Sequence, residues 1–330
     1  MPVIKYSKNL TAIKHYDVIV AGGGPAGICA AVAAAREGVS VALVERNGVL
    51  GGNMTAGHAG PILGEVAPGG MRDELMGLLG VPHNHMPGVV GLAHDAERAR
   101  HALTNFVNDA GVEVYLQSPV SDVIMEDNRV RGVVITGKRG MYALAAEVTV
   151  DATGDGDVAF FSGAQSVCLH RTVTPRERRV NTTQESRMAE TLGVCETRRF
   201  IGEYVLKDED LAAGKKFDDA IVHNANFIAD IHNPEGEGQA EGVPEEVKPY
   251  DIPYRCFIPL KTENLILAGR CISGTHRAHA SYRVMTICMA MGQGTGIAAA
   301  LAAKSNIAPR DLSPALVRDR LIDLGVKLEA

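Results

Sequence analysis

At 330 residues the chain can bury a substantial core, as one large domain or one domain with an inserted lobe, and is too short for two independent enzymes. Hydrophobic residues make up 46% and charged residues 22%, and a formal net charge of −6 gives no electrostatic footprint for nucleic acid or an anionic membrane. Six cysteines without a C-x-x-C pair argue against an iron–sulfur cluster and a structural zinc.

The N-terminal residues lack the apolar core of a secretory signal, and no run reads as a membrane span, so no membrane partner is expected and the cytoplasm is the expected location. Residues 17–21 are a short apolar run suited to a buried parallel strand. They lead into Gly22-Gly23-Gly24-Pro25-Ala26-Gly27, where Gly22, Gly24 and Gly27 match G-x-G-x-x-G. Gly22 permits the tight turn, Gly24 lets a pyrophosphate approach the backbone, and Gly27 lets an alanine-rich helix over 28–36 pack on the strand. The helix N-terminus then offers N–H groups and a positive dipole end to phosphate. A second strand over 39–44 ends in Glu45, roughly 20 residues beyond Gly24, where an acid accepts from ribose hydroxyls and disfavours a 2′-phosphate. The spacing therefore predicts FAD or NAD rather than NADP.

Residues 46–58 are too glycine-rich for regular structure and suit close passage of backbone over something flat. Residues 61–91 read as an irregular loop; His83 and His85 have no further candidate ligand near them in sequence, and no metal site is expected. Residues 95–110 have helical periodicity and stop at Gly111. Strands over 112–117, 120–126, 130–136 and 142–150 read as an antiparallel meander. A strand returning to the parallel sheet then runs into Asp151-Ala152-Thr153-Gly154-Asp155-Gly156-Asp157. These aspartates lack a calcium loop's closing glutamate, since Ser162 stands in its place. Residues 171–179 read as a solvated basic face, 188–214 as a broken helix and 233–249 as a loop. A buried strand over 264–270 ends in glycine. Gly292-Gln293-Gly294-Thr295-Gly296 imitates a second fingerprint, but no βαβ unit or ribose-binding acid follows it.

Together, GGGPAG with Glu45, GGNMT, DATGDGD, IPYRCFIP, LAGRCISGTH and RVMTICMAMGQGTGIAAALA resemble the FAD-dependent oxidoreductase family with the glutathione-reductase-type flavin fold, whose wider relatives include the fumarate reductase flavoproteins. The resemblance covers nearly the whole chain. It implies an α/β, Rossmann-like FAD-binding domain with an antiparallel β-meander insertion and a short, reduced substrate or cap lobe, divided as 1–164, 165–250 and 251–330. It implies FAD held extended, with pyrophosphate at Gly22, Gly24, Pro25, Ala26 and Gly27 and the adenosine ribose at Glu45 with Arg46 nearby. The flavin side falls to Gly51, Gly52, Asn53, Met54 and Thr55. Val120 would flank adenine, with Ala152, Thr153 and Gly154 behind it, and Gly269 and Arg270 would approach the ribityl–pyrophosphate. Gly292 and Gln293 would put a helix N-terminus near the flavin pyrimidine, where its dipole favours the charge of the reduced ring.

For proton handling and substrate the resemblance points to His276, Arg283 and His58, in segments that such a fold brings to the isoalloxazine. His276 has a loop hydrogen bond as its alternative role, and Arg283 a buried ion pair in place of a substrate carboxylate or the flavin O2. The paired thiols of a flavin disulfide reductase are missing, as is a second unit for a bound nicotinamide. The expected reaction transfers a hydride between a small organic substrate and flavin N5, as a dehydrogenase, an oxidase or an ene-type reductase. Only about thirty residues separate Ala164 from the ETRRFIGEY segment, so a partner subunit, or a second copy, is one way of completing the site. The alternatives are thus a FAD-binding subunit completed by another protein, and non-redox flavin or NAD chemistry of the hydratase or thiazole synthase kind.

Overall fold

The computed structural model describes residues 7, 9–81, 94–174, 177–179, 186–188, 190–191, 193–231 and 247–328. The His83 and His85 pair, residues 233–246 of the expected loop and the side chains of the 171–179 basic cluster lie outside the described residues. The chain opens with β1 (Thr11–Ala21), α1 (Pro25–Arg36), β2 (Val41–Val44), α2 (Met71–Leu78), α3 (Ala96–Asp109) and β3 (Glu113–Tyr115). Then come β4 (Val120–Glu126), β5 (Arg129–Gly137), β6 (Gly140–Asp151) and α4 (Asp157–Phe161). The middle holds β7 (Ser166–Thr174), β8 (Glu177–Arg179), β9 (Ser186–Met188), β10 (Gly193–Phe200), α5 (Asp208–Ala213), β11 (Ala220–Ala225) and β12 (Tyr250–Pro253). Last are β13 (Leu265–Leu267), α6 (His276–Tyr282), α7 (Met285–Ser305) and α8 (Pro314–Asp323).

One sheet organises these elements, in the order β3-β2-β1-β6-β5-β4, with β13 also paired to β6. β3, β2, β1, β6 and β13 run parallel, and β4 and β5 are antiparallel additions. The meander is therefore β4–β5–β6; the strand expected at 112–117 is instead β3, the parallel edge beside β2. The fourth meander strand and the strand entering DATGDGD are likewise one continuous element. β6 pairs with β5 over its first half and with β13 over Thr149–Asp151, a change of partner that no periodicity marks. β1 is exposed over its first residues and buried from Val18 to Ala21, where its sequence turns uniformly apolar.

The broken helix expected over 188–214 is chiefly β10, which pairs antiparallel with β7, followed by the short α5. Its charged residues suggest a solvated helix, but Val194 and Thr197 are β-branched and suit a pleated strand. The charges are met by specific partners: Arg198 reaches Asp157 at 3.0 Å, and Arg199 reaches Glu196 at 2.7 Å.

α1 is buried from Ala26 to Ala34, between the sheet and α7. Small side chains make that approach possible. At Gly292 and Gly296, one α-helical turn apart, an added Cβ would run into the carbonyl oxygens of Ala26 and Ala30 on α1. The GQGTG run is thus a helix-packing stripe. Contrary to the reading that no segment reads as a membrane span, α7 is long and apolar enough to cross one, but 83% of its apolar window is buried inside the fold.

Candidate active site

The carboxyl ends of β1, β2 and β6 and the turn after β13 open on a cleft, at the end of a parallel sheet where ligands bind. Gly22, Gly24, Pro25 and Ala26 form one wall, with Glu45, Arg46 and Asn47 at the end of β2. Gly52 and Asn53 come from the glycine-rich loop, Ala152, Thr153 and Gly154 from the end of β6, and Ala268, Gly269 and Arg270 from the turn after β13. Arg283, Met285 and Cys288 complete it around the start of α7.

The glycines act differently. Gly22 has φ +99°, and a Cβ at Gly27 would collide with the Gly22 carbonyl, so these two close the turn and seat the helix. Gly24 instead has no atom within 4 Å of where its Cβ would stand. The N-terminus of α1 has no side-chain cap. Glu45 is buried; its Oε2 accepts from the Gly23 N–H at 2.6 Å and its Oε1 from the Asn47 N–H at 2.7 Å, fixing the acid against the turn.

The opposite wall is held by a web around Asp155. Arg270 donates from Nε to the Gly154 carbonyl at 2.9 Å, from Nη2 to Asp155 Oδ1 at 2.7 Å, and from Nη1 to the Val194 carbonyl. Arg46 reaches Asp155 Oδ2 at 3.4 Å, and Thr197 donates to Oδ1 at 2.9 Å. Asp151 is fully buried and accepts from the Thr153 N–H at 3.1 Å, the Thr153 hydroxyl at 2.7 Å and the Ala159 N–H at 2.8 Å; burial pushes its carboxyl up to about 6. The three aspartates of DATGDGD thus diverge to separate partners. Among the described residues no group of three or more His, Cys, Asp or Glu is placed to hold a metal.

Several expected site residues stand elsewhere. Gly51, Met54 and Thr55 lie beneath the loop: Gly51 N–H donates to the Gly23 carbonyl at 2.7 Å and the Thr55 hydroxyl to the Leu50 carbonyl at 2.5 Å, while Met54 is buried. Val120 begins β4 opposite Ile135 and is not part of the cleft wall. Gly292 and Gln293 are not at a helix N-terminus. Both are buried within α7, and Gln293 Oε1 accepts from the Met71 N–H at 2.9 Å, capping α2. The N-terminus expected at 292 falls at Met285, on the cleft wall and without a side-chain cap.

Of the three candidate catalytic side chains, Arg283 alone lines the cleft. Its Nη2 donates to the carbonyl of Asp230 at 2.8 Å and to the carboxylate of Asp230 at 3.1 Å. His276 Nδ1 lies 2.6 Å from Glu196 Oε2, outside the cleft wall. His58 is buried at φ +47°, its backbone N–H bonded to the Thr55 carbonyl at 3.1 Å, also away from the wall. Sequence reasoning passed over Asp155 and Glu196 as site organisers. The signals for both were present, in the acidic DATGDGD triplet and the Glu-Thr-Arg-Arg run.

These features fit a dinucleotide: an open position at Gly24 before an uncapped helix, a seated acid at the end of β2 and an arginine anchored across from them. The model of the FAD dependent oxidoreductase family matches residues 17–168 and 168–321. The chain belongs to that family. Membership of that family points to FAD as its cofactor. It is 36% identical over 153 residues to a thiamine thiazole synthase of Aeropyrum pernix, covering 42% of this chain and 54% of that protein. It is 28% identical over 176 residues to a digeranylgeranylglycerophospholipid reductase of Thermoplasma volcanium, covering 48% of this chain and 44% of the relative. The chain spans about half the length of the curated relatives it matches. The Mycobacterium smegmatis Sdh1 complex in its apo form matches with a TM-score of 0.50 at 15% identity over 93% of this chain and 72% of that one, a likeness of fold.

Proposed function

We propose that this FAD dependent oxidoreductase oxidises a small organic substrate carrying a hydroxyl or amino group beside the carbon that loses hydride. The reading is carried by one observation: two uncapped helix N-termini, of α1 and α7, and three arginines, Arg46, Arg270 and Arg283, meet on one cleft. FAD, when bound, supplies the acceptor for a hydride and its two electrons. The amides that open α1 bind the diphosphate, Gly24 permits its approach, and Glu45 accepts from the adenosine ribose. Arg270 orients the diphosphate from the other wall. The N-terminus of α7 favours negative charge at the flavin end, and Arg283, with Nη2 anchored on Asp230, presents its remaining donors to an anionic group of the substrate.

The test is the purified chain loaded with FAD and titrated anaerobically with a panel of small hydroxy and amino acids. Bleaching of the flavin by one class supports the proposal. A folded, FAD-loaded chain bleached by none of them, or bleached only after a co-purifying protein is added, refutes the stand-alone reading and favours a subunit completed by a partner. A second reading, thiazole synthase-like use of NAD, is favoured by the 36% identity to a thiamine thiazole synthase. Extracting the bound nucleotide separates the two, since recovery of NAD and no flavin overturns the first.

A further inference from the structure

The glycine-rich loop that brings Gly52 and Asn53 to the cleft is gripped by a side chain from outside it, His94, which precedes the α3 cap Asp95. The His94 ring is buried, and each of its nitrogens meets a backbone carbonyl. Nδ1 lies 2.8 Å from the oxygen of Gly60, and Nε2 lies 2.7 Å from that of Met54. Carbonyl oxygens only accept, whereas a neutral imidazole has one N–H and one lone pair. A neutral ring would therefore set a lone pair against an oxygen at one of the two contacts, with no room for a water between them. Both contacts are hydrogen bonds only when both nitrogens carry a proton.

We propose that His94 is a positioning residue for the flavin-side loop and acts as an imidazolium, donating to Met54 and Gly60 at once, so that loss of its proton loosens the loop and weakens the hold on FAD. This rests on the reading of the cleft as the FAD site.

The loop's own bonds explain why an outside tie matters. Gly51 at φ +107°, Gly52 at φ +52° and His58 at φ +47° all hold left-handed backbone, which in His58 is sterically costly. The internal bonds are local: the Met54 N–H reaches Gly51, those of Thr55 and Gly57 reach Gly52, and that of Ala59 reaches Asn53. Gly51 is anchored on Gly23 at the loop's start. His94 joins Gly60, at the far end, to Met54, the neighbour of the cleft-lining Asn53. Bonds from a charged donor are roughly twice as strong as neutral ones.

The charged groups on the adjoining segments have other partners. On α3, Asp95 accepts from the Glu97 and Arg98 N–H groups at 2.8 and 3.2 Å, and Arg100 pairs with Glu97 at 3.6 Å. Arg100 also meets Glu190 at 2.6 Å, whose backbone N–H donates to the loop at Ala56. Arg98 and His101 are exposed, and His58 is buried within the loop itself. Among the described residues no carboxylate forms an ion pair with His94, so the two carbonyl dipoles are what favour its charge.

Nitrogen-15 spectra of the full-length protein with labelled histidine test this, recorded with and without FAD, with His94→Gln used to assign the resonance. The expected signature at neutral pH is one ring with both nitrogens protonated. Flavin fluorescence titrations across the pH range in which that signature is lost should show FAD affinity falling with it. Glutamine has a single donating group, so His94→Gln should bind FAD roughly 10- to 100-fold more weakly below that range, the equivalent of one charge-assisted bond, and should lack the wild-type pH step. If His94→Gln does not fold, the wild-type spectrum and pH profile decide, with the resonance assigned by its through-bond connection to the His94 backbone. A His94 ring with a single proton at neutral pH, or a pH step that persists in His94→Gln, overturns the proposal. A wild-type chain that binds no FAD would sink the flavin reading, while the spectrum without FAD still reports the protonation of the ring, so the two failures are distinct.

Discussion

Gly24→Ala separates binding from folding more sharply than any other single change in the cleft. Gly24 sits at φ −79° and ψ −172°, a conformation open to any residue, and its Cβ would meet no atom within 4 Å. The folded chain should therefore tolerate alanine, and the loss of glycine's freedom in the unfolded chain stabilises it by about 0.4–1 kcal/mol. The same methyl group stands where the diphosphate must approach the first amides of α1. Displacing it from a charge-assisted N–H bond forfeits about 1.5–3 kcal/mol, which is roughly a 10- to 100-fold loss of affinity for each bond. Flavin fluorescence titration and denaturant unfolding on the same preparation measure the two effects. Gly27→Ala is the control, because its methyl would strike the Gly22 carbonyl and should destabilise the fold by about 1–3 kcal/mol. A Gly24→Ala protein that binds FAD as wild type does, or that unfolds as readily as Gly27→Ala, refutes the reasoning.

Other expectations follow from the same geometry. Gln293→Ala removes the side-chain acceptor from the Met71 N–H and should cost about 1 kcal/mol in unfolding while leaving FAD affinity unchanged; a selective loss of FAD would restore Gln293 to the flavin. Gly296→Ala forces a methyl against the Ala30 carbonyl and should cost about 1–3 kcal/mol, measured by chemical denaturation. Asp151 has its carboxyl raised from 3.8 to about 6 by burial, so the protonated form is favoured in the fold. Its contribution is full below the unfolded value and is lost as pH rises through about 6, a change of roughly 3 kcal/mol for about two units. Asp151→Asn does not titrate there, so the stability of wild type relative to this variant should fall by that amount between about pH 4 and pH 7; a constant difference would show that Asp151 stays ionised.

The first βαβ unit was legible because each of its parts obeys a local rule: Val18 to Ala21 are uniformly apolar, Gly22 needs a positive φ, and Gly27 has no room for a side chain. Gly292 misled for a reason of the same kind. A glycine that lets two helices touch and a glycine that admits a phosphate leave the same letter in the sequence, and only the position of α1 distinguishes them. β6 was read as two strands because its change of partner from β5 to β13 is a tertiary event. β10 was read as helix because the partners of Glu196 and Arg199 come from each other and from α6, residues far apart in the chain. The Arg46, Arg270 and Asp155 web was invisible for that reason too: three unremarkable charged residues acquire meaning only when the ends of β2, β6 and β13 share one edge.

The central claim is that this cleft holds FAD, and the most direct measurement is the visible absorbance spectrum of the purified chain after incubation with FAD and gel filtration. The account predicts a protein-bound flavin spectrum at equimolar ratio, sharply weakened in Gly24→Ala. Folded protein that elutes colourless would contradict it.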